Sequence, residues 1–98
     1  MKKYKLTSEH KTVDGVTLYR IEVVKPFASF NAGDKGGWIE KEANLSQEGS
    51  AWVSDNAVVY GNAQVGGDAQ VCDNAVVCGN AALAMAKVCV KPYKEGKK

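Results

Sequence analysis

The second half of the chain repeats a hydrophobic pattern every six residues. From Ala51 to Ala86 the sequence divides into the units AWVSDN, AVVYGN, AQVGGD, AQVCDN, AVVCGN and AALAMA. Each unit begins with Ala and has an aliphatic residue two positions later, which places a small and a large side chain on one side of a strand. In every unit but the last, Gly or Asp followed by Asn or Asp comes next, and these residues turn the backbone at low cost.

Strands this short, separated by corners, predict a coil rather than a hairpin sheet. If three units close one turn, equivalent residues of successive turns stack in parallel on strands about 4.8 Å apart, with the alanines in the corners. The inward-facing pairs are then Val53 over Val71, Val59 over Val77, and Val65 over Leu83. We therefore predict an all-β fold in which residues 41–90 form a parallel β-helix of about two turns.

The region from Ala51 to about Val88 resembles the hexapeptide-repeat proteins, which combine an aliphatic residue, two turn residues and a small residue at fixed offsets. This resemblance implies a left-handed coil. After the sixth unit, Ala86-Lys87-Val88 repeats the Ala-x-Val pattern one position early, so one residue is missing from the last turn. That slip would place Cys72 beneath Cys89.

The N-terminal segment lacks the six-residue repeat, and its pattern predicts a hairpin that caps the coil. Asp14-Gly15 separates two β-prone runs, which is the pattern of a tight hairpin, and Tyr4 to Thr7 is a candidate third strand. The Gly-rich stretch from Gly33 to Gly37 predicts a turn, and Ala43 to Ser46 matches an imperfect repeat offset by two positions. We divide the chain into a capping segment (1–40), the repeats (41–90) and a Lys-rich tail (91–98).

Composition adds expectations about location and partners. The chain has 98 residues and a formal net charge of +2, with lysines gathered near both ends, a pattern that favours solubility over nucleic-acid binding. Neither a signal peptide nor an apolar run of bilayer length is evident, which predicts a cytoplasmic protein without membrane contact. Three cysteines without CxxC spacing predict reduced thiols rather than a disulfide framework or a zinc site. We expect neither a metal nor a cofactor.

The same residues argue against catalysis. Some hexapeptide-repeat proteins are acyltransferases in which a histidine of the coil acts as general base, and this resemblance makes an acyltransferase the rival hypothesis. The histidine of this chain, His10, lies outside the repeats. Cys72 and Cys78 should point outward, with no base near either in the sequence. We therefore expect no catalytic residue.

The outer side of the coil supplies the candidate binding residues. If Ala57 and Val59 point inward, Val58 and Tyr60 face solvent, and Val76 and Cys78 lie over them one turn later. An exposed apolar face of this kind indicates an interface unless the hairpin or the Lys-rich tail folds over it. Trp52 marks a second candidate surface.

These features predict a non-enzymatic protein-binding module that forms homo-oligomers. The order of a hairpin, the GDKGGWIE segment and Asn-Ala repeats also resembles small uncharacterised repeat proteins of bacteria and their phages. The phage resemblance suggests a specific hypothesis: a phage-encoded inhibitor, of the anti-CRISPR kind, that sterically blocks a defence complex of the bacterial host. The alternatives are a degenerate acyltransferase-like enzyme and a self-assembling structural protein.

Overall fold

The computed structural model describes residues 2–90, so the predicted Lys-rich tail at 91–98 lies outside the described residues. The chain is all-β, as the repeat pattern predicts, and a 3₁₀ turn at Glu42–Asn44 interrupts the strands. The strands are β1 (Tyr4–Val13), β2 (Val16–Val23), β3 (Lys35–Ile39), β4 (Trp52–Val53), β5 (Val58–Val59), β6 (Gln64–Val65), β7 (Gln70–Asp73), β8 (Val76–Val77), β9 (Ala82–Leu83) and β10 (Lys87–Val90).

The strands of the repeat region, residues 51–90, pair in parallel with strands three repeats away. β4 pairs with β7, β5 with β8, and β6 with β9. The predicted stacking pairs are confirmed: Val53 lies opposite Val71, Val59 opposite Val77, and Val65 opposite Leu83. The six-residue period of the sequence therefore fixes which side chains enter the core.

Corner residues in the left-handed backbone region recur at the same six-residue period. Positive φ angles occur at Asp55, Gly61, Gly67, Asp73 and Gly79. Gly, Asp and Asn tolerate this region better than other residues, which explains the Gly or Asp that ends each predicted strand.

The sequence spacing between paired residues is one residue shorter for β10 and β7 than for β7 and β4. β10 pairs in parallel with β7 so that Val88 lies opposite Val71 and Cys89 opposite Cys72, each one position earlier than three full repeats would give. The predicted slip is therefore confirmed, and it keeps the aliphatic residue of the shortened repeat in register with the core.

The strands form three sheets, of which the largest is mixed. Its order is β1-β2-β3-β5-β8, and the other sheets are β10-β7-β4 and β6-β9. β1 and β2, and β2 and β3, pair antiparallel, whereas β3 pairs with β5 in parallel. The hairpin is thus joined to the repeats through continuous hydrogen bonding along one sheet.

The hairpin predicted around Asp14-Gly15 connects β1 and β2, and both turn residues have positive φ angles. The separate third strand expected from Tyr4 to Thr7 is wrong, because those residues begin the ten-residue strand β1. The pairing of β1 with β2 is irregular between Leu6 and His10. A bulge at this point lets β1 continue as one strand where the sequence pattern suggested that one strand ended and another began.

The Gly-rich stretch is partly strand rather than turn, which corrects the sequence expectation. Gly36 and Gly37 lie in β3, where the sheet passes close to the start of the repeats. A Cβ atom on Gly36 would lie 2.6 Å from Cζ2 of Trp52 and 2.6 Å from the carbonyl oxygen of Val53. Glycine is needed here because no side chain fits between β3 and β4.

The segment before the repeats covers the first end of the core. Ile39 lies opposite Val59 and Leu45 opposite Val65, and both pairs lie two positions further apart in sequence than three full repeats, which confirms the imperfect repeat. Buried Asn44 completes this cover. Its Oδ1 accepts hydrogen bonds from the amides of Glu40 and Lys41, and its Nδ2 donates to one carbonyl oxygen in each of the second and third repeats. One side chain thus bonds two backbone segments that are distant in sequence.

We expect Asn44→Ala to lower the free energy of unfolding by about 2–4 kcal/mol, because it leaves buried backbone donors and acceptors without partners. Asn62→Ala is the matched control, since the side chain of exposed Asn62 bonds to that of Asn80 and its loss should change stability by less than about 0.5 kcal/mol. Urea denaturation measures both. Equal effects of the two substitutions would contradict this role for Asn44.

Lys3, just before β1, forms hydrogen bonds with main-chain carbonyl groups at the start of the repeats. Its Nζ donates to the carbonyl oxygens of Gly49 (3.1 Å) and Ala51 (2.8 Å) and lies 4.5 Å from the ring centre of Phe27. Burial lowers the pKa of Lys3 from 10.5 to about 8. The folded protein therefore releases this proton at a lower pH than the unfolded chain.

Between pH 8 and about pH 9.5 the unfolded chain binds more protons at Lys3 than the folded chain, so stability from this group should rise with pH. The free energy of unfolding of the wild type, minus that of Lys3→Met, should therefore increase across this range. Lys5→Met, at an exposed position on β1 two residues after Lys3, is the control and should give a constant difference. A wild-type curve parallel to that of Lys3→Met would be incompatible with the lowered pKa.

Candidate interaction surface

The four residues predicted to form an apolar outer face do not share one environment. Val58 and Val76 are direct neighbours on β5 and β8, as predicted. Val58 is nevertheless only 5% exposed, whereas Val76 is 56% exposed and Cys78 is also exposed. The expected surface is therefore divided between two strands, and only its β8 half is open.

The N-terminal hairpin covers the β5 half of this surface. Val58 packs with buried Leu18 and Trp38, and Val13 and Val16 lie against them. The expectation that Val58 faces solvent is wrong for this reason. The alternative that the hairpin folds over the face is correct for β5.

Tyr60 is half-buried where the tip of the hairpin reaches the repeats. Its hydroxyl donates a hydrogen bond of 3.2 Å to Oδ2 of Asp14. A hydrogen bond with Cys78 raises the pKa of Tyr60 to about 12, and burial and Asp14 add to the effect. The hydrogen bond to Asp14 holds the hairpin tip against the repeats, so the Tyr60 side chain does not stand free as predicted.

Trp52 is buried, so the second candidate surface is also wrong. Its ring lies 5.3 Å from that of Phe27, 5.5 Å from that of Phe30 and 6.1 Å from that of Tyr4, measured between ring centres. The loop that follows β2 supplies both phenylalanines. Two aromatic side chains in a loop need an apolar surface to pack against. The two phenylalanines in the sequence could therefore have indicated that Trp52 is buried.

The open part of the repeat region lies at its last strands. We call β8, β9 and β10 the terminal strands, because within residues 2–90 each is the last strand along the chain in its parallel stack. The inward side chains lose cover in this direction: Val53 and Val59 are fully buried, but Leu83 and Val88 are only partly buried. Sequence reasoning missed two large exposed side chains here, Met85 (84% exposed) and Val90 (52% exposed).

Backbone amides show the same difference between the terminal strands and the strands before them. The amides of Val58, Gln64 and Gln70 donate to carbonyl oxygens of Ala75, Ala81 and Ala86 in the next turn. The residues in equivalent positions on the terminal strands are Val76, Ala82 and Lys87. Because main-chain groups alternate in direction along a strand, their amides point away from the repeats, where residues 2–90 provide no further strand. Within residues 2–90 the terminal strands thus have main-chain donors with no strand beyond them, next to apolar side chains.

A shallow groove of about 300 Å³ runs along β6 and β9. Its lining consists of the small, aliphatic or uncharged residues Ala43, Ser46, Gln64, Val65, Gly66, Ala82, Leu83 and Ala84. A second groove beside it includes Lys41 and Asn62. His10 lines neither groove; it is exposed on β1, with Nδ1 3.0 Å from the carbonyl oxygen of Ser8.

The cysteines contradict the expectation of reduced thiols. Cys72 and Cys89 form a disulfide across β7 and β10, with Cα atoms 4.6 Å apart, because the slip in the last turn makes them direct neighbours. Their sulfur atoms and the carboxylate of Asp73 lie within 4.8 Å of one another. Sulfur atoms bonded to each other cannot supply thiolates to a metal ion. Cys78 is a free and exposed thiol.

Comparison with known proteins relates the chain to part of a larger protein. The chain is 36% identical over 69 residues to a protein of Escherichia coli (strain K12) described as an uncharacterized acetyltransferase, YdcK. The aligned part covers 61% of this chain and 21% of that protein, so the chain spans about a fifth of its relative. No family model matches the chain.

Among the described residues no helix has the length and apolar character to cross a membrane.

Proposed function

We propose that the protein is a non-enzymatic protein-binding module. In this proposal residues 41–90 are a short parallel β-helix of hexapeptide repeats, left-handed by its resemblance to that family. The hairpin covers its first end, and the terminal strands bind a partner. Support for the β-helix comes from the parallel pairing of strands three repeats apart and from the recurring corner residues.

The observation that carries the binding function is that, within residues 2–90, the terminal strands have amides with no strand beyond them and exposed apolar side chains on and beside them. Val76, Met85 and Val90 are large hydrophobic residues that stand more than half exposed. Unpaired strand edges bind other strands, since a polypeptide supplies main-chain acceptors and apolar side chains together. Another protein, or a second copy of this chain, is therefore the kind of partner that this surface fits.

Charge at the terminal strands favours protein over nucleic acid. The segment from Ala75 to Val90 contains one charged side chain, Lys87. Binding to a phosphate backbone depends on several lysine or arginine contacts, and this segment offers a single one. An inhibitor of a bacterial defence complex remains the specific hypothesis for the partner, and the resemblance to phage-borne repeat proteins supports it.

The interface is tested by Val76→Asp, which places a charge on the exposed β8 position without entering the core. Sedimentation of the purified protein measures self-association, and affinity capture from a bacterial lysate followed by titration of the purified captured protein measures partner binding. We expect binding to weaken at least about tenfold, since a desolvated carboxylate costs more than about 1.4 kcal/mol.

Val24→Asp is the matched control, because Val24 is also an exposed valine but lies after β2, away from the terminal strands. It should bind like the wild type. If Val76→Asp keeps its thermal unfolding temperature and binds as tightly as Val24→Asp, the terminal strands are not the interface.

An acetyltransferase-like activity is the second candidate, and the similarity to YdcK is the observation that favours it. An acyl transfer of this type needs a general base beside the acceptor group, and His10 is the histidine available to this chain. We expect no release of coenzyme A from acetyl-coenzyme A in the presence of amine acceptors. Turnover that is lost in His10→Ala would establish the enzyme and reject our proposal of a non-enzymatic module.

A further inference from the structure

The shortened last turn has a specific chemical result. The earlier parallel pairs of the repeat region join residues that are three full repeats apart, whereas β7 and β10 join residues one position closer in sequence. With three full repeats between them, Cys72 would lie opposite Val90. The loss of one residue places it opposite Cys89 instead.

The distance between the two backbones at this pair allows a disulfide. The Cα atoms lie 4.6 Å apart, inside the range of about 4.4–6.8 Å that disulfides adopt. Both cysteines are partly exposed, as exchange with a small thiol or disulfide requires. Cys78 follows β8, which belongs to a different sheet, and remains unbonded.

The position of the bond matters because β10 lies at the edge of its sheet. Within residues 2–90, β10 has β7 as its sheet neighbour, and its exposed ends are Lys87 and Val90. The amides of Gln70 and Asn74, on and beside β7, donate to the carbonyl oxygens of Ala86 and Val90. The disulfide adds a covalent link between β7 and β10 to these hydrogen bonds.

We propose that Cys72 and Cys89 form a reversible thiol–disulfide site that locks β10 onto β7. Its co-reactant is a low-molecular-weight disulfide of the glutathione type. One cysteine thiolate attacks that disulfide and releases one thiol, and the second cysteine then attacks the mixed disulfide and releases another. The protein loses two protons and two electrons, the small disulfide gains them, and an excess of thiol reverses both steps.

Reduction should detach β10 and uncover the edge of β7 while leaving the other terminal strands in place. This proposal does not depend on the proposed protein-binding function, because it concerns the attachment of one strand and is measured on the isolated protein.

Amide hydrogen exchange of the full chain, measured by NMR, tests the lock in the oxidised and reduced states. After treatment with oxidised glutathione, thiol counting should find one free cysteine and peptide mapping should find the Cys72–Cys89 bond. Reduction should speed exchange of the Gln70 and Asn74 amides at least about tenfold, because they bond directly to β10 and the residue before it. The amides of Val58 and Gln64, which donate to residues beside the other terminal strands, should change little.

Two variants control the experiment. Cys78→Ser should behave like the wild type, and Cys72→Ser with Cys89→Ser should exchange at the reduced rate under both conditions. The comparison of oxidised and reduced wild type stands even if the double variant fails to fold. Three free thiols after oxidation, or equal exchange of Gln70 and Asn74 in the two states, would overturn the proposal.

Discussion

Stacked parallel strands leave unpaired backbone groups at both ends of the stack. The architecture of this protein depends on which of these groups find hydrogen-bond partners elsewhere in the chain. At the first end β3 pairs with β5, Leu45 pairs with Val65, and the side chain of Asn44 bonds further backbone groups. Apolar side chains of the hairpin, such as Ile21 and Val23, complete the core there. At the other end, within the described residues, no strand follows β8, β9 or β10. The part of the chain that the structure describes is thus closed at one end and open at the other.

The six-residue period was sufficient to predict the inner half of the fold. A strand places alternate side chains on opposite sides, so Ala and Val at fixed positions determined both the core and the pairing of Val53 with Val71. The one-residue slip was also visible, since the Ala-x-Val pattern resumed at Ala86. These features are local in the sequence, which is why pattern alone revealed them.

The outer half was predicted poorly because it depends on contacts between distant segments. The period shows that Val58 and Trp52 point out of the repeats, but it does not show what covers them. The hairpin covers Val58, and aromatic residues of the loop after β2 cover Trp52. Gly36 carried the clue that was misread: a glycine inside a strand can mark a close approach of another segment, and here it admits Trp52. The candidates that remain exposed, Val76 and Cys78, lie beyond the reach of the hairpin.

Binding at the terminal strands depends on open backbone donors, and amide exchange in the dilute, free protein tests for them most directly. Val76, Ala82 and Lys87 occupy the positions of Val58, Gln64 and Gln70 one turn later. If the edge is open, the first three amides exchange at nearly the rate of an unstructured chain, while the latter three are protected by their bonds to the next turn. Equal protection of the two sets would show that the terminal strands are already covered, and would contradict the account.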